Sequence, residues 1–250
     1  MFLNEIYGFE IGIIEIILFG LISFSIKMIN KNLKNVDVIT YYWSMFTILT
    51  GIWEICFICS YKKTNLLSIE LFKNNKHVWT NNYNLSYILP WKMSYIFYAE
   101  YGAYADKYYM TSLNDWSRII EGTHAIFCGL FSLIAILYIY KNMEYRYKIC
   151  MGIAMGSQLM NSILYMGNYF IQCSDPSSLN YNTSIFPTGK NLSDRPFMYV
   201  NVFWTVMPLY TIINLVLFSN DKSKLDNDEQ KKYIENIETK CDTLLNILKQ

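Results

Sequence analysis

The chain has 250 residues, 53% hydrophobic, 17% aromatic and only 16% charged, with a formal net charge of +1 and a mean hydropathy of +0.15. A water-soluble domain of this length carries more charge and fewer apolar residues, and a near-neutral chain offers no basic face to nucleic acid. These balances point to an integral membrane protein whose first partner is the membrane, with no nucleic-acid partner.

The apolar residues fall in blocks of membrane-spanning length, about 20 residues each. Five helical spans are expected, because long apolar runs exclude a barrel and lipid admits only helices or closed barrels. The first span runs from about Phe9 to Ile29. Glu5 and Glu10 open this region and Lys27 closes it, the reverse of a cleavable signal peptide, so the span is expected to be retained. Glu10 and Glu15 are expected at the membrane interface. The second span covers about Val38 to Tyr61 and carries Thr50 and Glu54 one helical turn apart. Cys56 and Cys59 form a CxxC there. They have no second pair and no nearby His, so they read as ordinary buried thiols rather than a metal or redox site.

A long loop, Lys62 to Leu113, follows. Its second half, PWKMSYIFYAEYGAYADKYY, is rich in Trp and Tyr. Such residues favour the headgroup region, so part of it is expected to lie along the membrane surface. The third span, Asn114 to Met143, holds Glu121 and His124 three residues apart and therefore toward one side of a helix, with Arg118 near its start. The fourth, about Tyr147 to Ile171, carries Gln158, Asn161, Ser162 and Tyr165. Gln158, Ser162 and Tyr165 share a face by their i, i+4, i+7 spacing. After a polar, irregular loop from Gln172 to Arg195, the fifth span (about Phe197 to Ser219) carries Asn201, Trp204 and Pro208. The tail after Asn220 reads as a charged, solvated helix. The expected organisation is a first helix with its loop (1–36), a four-helix membrane domain (37–219) and the tail (220–250).

Lys27, Lys31 and Lys34 follow span one. Lys141, Arg146 and Lys148 follow span three, and Lys222 and Lys224 follow span five. Five spans put these segments on one side, which the positive-inside rule makes cytoplasmic. The N-terminus and the second and fourth loops then face the lumen or exterior. The glycosylation acceptors Asn84, Asn182 and Asn191 all fall in those two loops.

Four spans thus carry polar stripes, and the simplest packing turns all four toward one cavity. Ser, Thr, Asn and Gln in such stripes often do no more than hold helices together. Glu54 and Glu121 ask for more. Ionisable groups in a span face a protein interior or cavity. Two buried carboxylates without an obvious buried cation hold or share protons, which suits acid–base work or an intramembrane proton pathway.

The residues together resemble the emopamil-binding protein family, the sterol Δ8-Δ7 isomerases, and the wider EXPERA membrane domain. The segment YVNVFWTVMP, Tyr199 to Pro208, is similar to the family's Asn-x-x-Trp-x-x-x-Pro pattern. EYGAYADKYY, Glu100 to Tyr109, resembles its Glu-Tyr, Ala-Asp, Arg-Tyr segment, with Lys107 where Arg is usual. Glu121 followed eight residues later by Gly129, Gln158 with Tyr165, and Glu54 match further positions. The likeness covers about Tyr41 to Phe218. It implies a five-transmembrane-helix bundle of the endoplasmic reticulum, a polar intramembrane cavity open toward the membrane, and a sterol or sterol-like lipid as partner. A homodimer is compatible with it. The implied chemistry shifts a ring double bond by protonation and deprotonation, with no cofactor and no metal. It assigns Glu121 as base, Glu54 to the acid site, and Thr50, Asn201, Trp204, Gln158 and Tyr165 to the substrate.

Two positions depart from the family. Thr50 stands where the family has His, and His124 stands where it has Thr. The expectation is that His124 takes over proton handling beside Glu54 or Glu121, giving three catalytic groups. The alternative is a non-catalytic EXPERA-type protein that binds sterols or amphiphiles or chaperones another membrane protein. A small transporter is less favoured, because the spans show no inverted repeat.

Overall fold

A computed structural model of the protein describes residues 5–108, 115–178, 180–181 and 199–217. Strand β1 is Glu5–Tyr7, α1 Gly8–Ile29, α2 Lys31–Lys34, α3 Val38–Lys73, β2 Asn82–Asn84, α4 Pro90–Tyr104, α5 Asp115–Tyr140 and α6 Glu144–Ser174. Helix α7 is Tyr199–Leu217. Five of these helices (α1, α3, α5, α6 and α7) are long and apolar enough to cross a membrane, so this is an all-α membrane protein. Strands β1 and β2 pair antiparallel, with Ile6 opposite Tyr83. Contacts divide the chain into a main unit ending at Thr211 and a C-terminal unit from Ile212; the main unit is described below. Asn182, Asn191, the tail after Asn220, the side chain of Arg118 and the outermost residues expected in spans three and five lie outside the described residues.

Helix α3 is the backbone of the main unit. Its first turn is capped by the Asp37 carboxylate, which accepts from Thr40 N at 2.8 Å, satisfying one of the free N–H groups of a helix start. The helix continues past the expected Tyr61 boundary to Lys73. Its 36 residues extend about 54 Å at 1.5 Å per residue, well beyond the roughly 30 Å hydrocarbon core. The extension persists because Thr64, Ser68 and Leu71 remain buried along one face. It ends at Asn74, after which Asn75 takes a left-handed φ of 50°, a conformation Asn tolerates.

Helices α3 and α5 cross with almost no side chain between them. A Cβ placed on Gly129 would stand 3.1 Å from Thr47 O and 3.2 Å from the Gly51 Cα. A Cβ on Gly51 would meet Gly129 Cα at 3.2 Å and Ala125 O at 3.3 Å, and one on Gly122 would stand 3.3 Å from Glu54 Oε2. Contacts that climb α3 from Thr47 to Glu54 therefore descend α5 from Gly129 to Gly122: the helices run antiparallel. Small residues permit such close backbone approach in membranes.

The aromatic half of the second loop folds as α4 and packs against α3, burying Met93, Ser94, Ile96, Tyr98, Ala99, Glu100, Gly102 and Ala103. Ser94 Oγ donates to Trp53 O at 2.7 Å, fastening α4 to α3. The loop before α4 is fastened by Glu100. Its Oε2 accepts from Val78 N at 2.9 Å, and its Oε1 lies 2.6 Å from His77 Nδ1. Burial lifts the Glu100 carboxyl above the ordinary carboxylate range, and the His77 and Val78 hydrogen bonds pull it back.

Glu15 is only 4% exposed within the protein, and its Oε1 accepts from Trp53 Nε1 at 3.0 Å. A carboxylate buried in a span is tolerated because α3 supplies a donor. One expectation is corrected. Cys56 is half-buried and Cys59 exposed, both free; they lie toward the outer face of α3, not in the core. At the other end of α1, Lys27 Nζ donates to Leu33 O and Val36 O at 2.8 and 2.7 Å, tying α1 to the α2 turn.

Gly129→Val is expected to lower the melting temperature of the detergent-purified protein markedly, because the neighbours of the new side chain are backbone atoms that cannot move aside. Glu100→Ala leaves the buried Val78 N–H without its acceptor, at a cost of about 1–3 kcal/mol. Faster limited proteolysis between Lys73 and Pro90 would report that loss.

Candidate functional site

A cavity enclosing, with its mouth, about 830 Å³ lies among α3, α4, α5, α6 and α7. Its floor and walls carry Thr50 and Glu54 from α3, Glu121 from α5, Asn161, Ser162 and Tyr165 from α6, and Asn201 and Trp204 from α7. Residues from all four polar stripes thus meet at one cavity. Trp53 and Ala125 add to the wall, and α4 contributes Phe97, Tyr98 and Tyr101.

The two carboxylates are held differently. Glu54, 4% exposed, accepts through Oε1 from the Tyr98 hydroxyl and rests against Gly122. Glu121 Oε2 accepts from Asn161 Nδ2 at 2.7 Å. Burial keeps the Tyr98 and Tyr101 phenols well above their ordinary range, so both remain protonated donors. Each lines an aromatic-walled cavity and accepts a hydrogen bond from an uncharged donor.

Trp204 forms the aromatic face. Its ring stands edge-on to Trp43 and Phe46 at centroid separations of 5.2 and 5.5 Å, a favourable geometry for aromatic pairs. Ser162 Oγ lies 2.7 Å from Thr205 Oγ1, fixing α7 against α6 beside Asn201.

Gln158 does not line the cavity. It is buried, and its Oε1 accepts from Trp43 Nε1 at 2.9 Å; it holds the ring that buttresses Trp204. His124 also stands apart. Its Nε2 is 3.0 Å from Ser157 Oγ and 3.3 Å from Cys128 Sγ, toward α6. At about 100° per residue, His124 lies roughly 60° to one side of Glu121 and Ala125 roughly 40° to the other. The cavity lies on the Ala125 side, so the imidazole turns away from both carboxylates.

Sequence reasoning missed the α4 contribution and Asp106. Tyr98 and Tyr101 have the i, i+3 spacing of one helix face, a signal masked by the segment's surface-seeking composition. Asp106, 3% exposed, accepts from Tyr165 OH at 2.7 Å and from Asn180 Nδ2 at 2.9 Å. Tyr165 in turn shares a hydrogen bond with Tyr101 OH. Among the described residues no group of three His, Cys, Asp or Glu side chains is placed to hold a metal ion.

Compared with protein-family models, curated proteins and solved structures, the chain finds no match.

Gln158→Ala is expected to destabilise the protein by about 1–3 kcal/mol, since the buried Trp43 N–H loses its acceptor. It should also weaken binding of an amphiphilic ligand by loosening Trp204. A thermal shift with and without ligand measures both effects, and an unchanged ligand shift would dismiss the link from Gln158 to the cavity.

Proposed function

We propose that this protein is a membrane-embedded sterol isomerase of the Δ8-Δ7 type, built as an EXPERA-like bundle. The observation that carries the reading is the pair of carboxylates, Glu54 and Glu121, held by neutral donors on opposite helices around one aromatic-walled cavity. Moving a ring double bond needs an acid that protonates one alkene carbon and a base that takes a proton from the neighbouring position. One proton enters the substrate and one leaves, so the product is an isomer. Glu54, with the Tyr98 hydroxyl on it, is the acid site. Glu121, oriented by Asn161, is the base. The carbocation between the two steps is stabilised by the face of Trp204 through cation–π attraction. Thr50, Asn201 and Tyr165 shape the polar end of the site. Gln158 acts only through Trp43, and His124 has no part in the proton transfers.

The resemblance supplies the sterol and the residence in the endoplasmic reticulum, with the N-terminus lumenal and the C-terminus cytoplasmic by the distribution of Lys and Arg. A second reading, a non-catalytic sterol or amphiphile binder, is favoured by one specific observation. The family's span-two His is replaced by Thr50, and the His gained at position 124 faces Ser157 instead of the cavity.

Expression in cells lacking their own sterol Δ8-Δ7 isomerase separates the two. The isomerase reading expects Δ7 sterols to reappear in the mass-spectrometric profile. It expects Glu121→Gln and Glu54→Gln each to reduce product by at least about 100-fold, the scale of a lost general acid or base. Persistent Δ8 sterols despite good expression would leave the binder.

A further inference from the structure

Glu121, Asn161 and Tyr165 line a second cavity as well as the first. This second space encloses, with its opening, about 740 Å³ and is the more polar of the two, with Asp106, Asn168 and Gln172 in its wall beside Ile120 and Leu164. It lies toward the end of the bundle where α5 begins and α6 ends. Glu121 therefore stands in the partition between an aromatic chamber and a polar one. Asp106 is anchored on the polar side by Tyr165 and Asn180, and Asn180 Nδ2 also donates to Gln172 Oε1 at 2.9 Å. The neighbouring cation, Lys107, sits over the Phe72 ring at 3.7 Å and does not fill this space.

We propose that the second cavity is a water-filled proton port, through which Glu121 exchanges protons with the medium by way of Asp106. The inference rests on the isomerase reading for its purpose. Each turnover loads a proton on the base and removes one from the acid, so the two groups must be reset before the next substrate. The aromatic chamber, filled by a sterol, offers no water. The polar chamber has room and hydrogen-bonding partners for water on the other side of the same carboxyl. The proton passes from the Glu121 carboxyl to water in the port, then to the Asp106 carboxylate and out. An equal proton reaches the acid site from the medium, and the balance closes with no other reactant. Asp106 is thus a positioning and relay residue; it does not touch substrate.

The test uses the full chain in lipid nanodiscs. Single-turnover and steady-state rates on a Δ8 sterol are compared for wild type, Asp106→Asn and Asp106→Glu. The port predicts an unchanged first turnover in Asp106→Asn, a steady-state rate at least about 10-fold lower, and recovery in Asp106→Glu. Equal loss in both regimes would mean a structural role, and no loss in either would mean no relay; both overturn the assignment of Asp106. Independently of turnover, Glu121→Cys and Asn168→Cys are treated with a small charged methanethiosulfonate and read by mass spectrometry. Modification at both positions supports the port. Modification at 168 alone, or at neither, refutes water access to Glu121. Labelling of both cysteine variants, beside a wild type that forms no Δ7 sterol, would discard the isomerase reading and keep water access to Glu121.

Discussion

The near-contact of two backbones at Gly51 and Gly129 is the constraint on which the rest of the molecule depends. With no side chain between α3 and α5, the antiparallel helices approach until Gly122 lies against Glu54. Glu121 is the next residue along. A bulkier residue at either glycine would widen the crossing and separate the carboxylates. The membrane makes that packing decisive. Lipid offers carboxylates no solvation, so each must be turned inward and given a protein donor. Tyr98 and Asn161 are those donors, and each comes from a helix other than the one it serves.

From this crossing the site is assembled in layers. Helix α4 packs on α3 and brings Tyr98 to Glu54. Helix α6 brings Asn161 to Glu121 and Tyr165 to Asp106. Helix α7 brings Trp204 against Trp43 and Phe46. Behind that layer, Gln158 fixes Trp43. The chamber therefore combines aromatic walls with two carboxylates. That combination suits the proposed passage through a cation with loss of a proton. Among the described residues, Glu121 is the carboxylate that lines both spaces.

Much of this was legible in the sequence. The five apolar blocks gave the spans, and period-3.6 spacing placed Thr50, Glu54, Ser162, Tyr165, Asn201 and Trp204 on inward faces before any contact was known. What escaped had physical reasons. Pro90 to Tyr104 has a surface-seeking composition, and its packing on α3, with Ser94 bonded to Trp53 O, is a tertiary match that composition does not display. The Trp53 donor to Glu15 comes from another helix and has no local signal. His124 and Glu121 share a helix side by spacing, yet the rotation of α5 decides which of Ala125 and His124 meets the cavity. Gln158 matches a motif position but works behind the wall. Such choices depend on rotations of a few tens of degrees, which spacing alone does not specify.

Proton passage from Glu54 through a bound sterol to Glu121, as proposed, is tested by incubating the purified protein with a Δ8 sterol in D₂O and resolving the products by mass spectrometry. The expected product is a Δ7 sterol carrying one deuterium, placed at the protonated carbon, with none formed by protein in which both carboxylates are changed to Gln. Recovery of unlabelled Δ8 sterol alone, from protein that binds it, would overturn the proposed proton transfers.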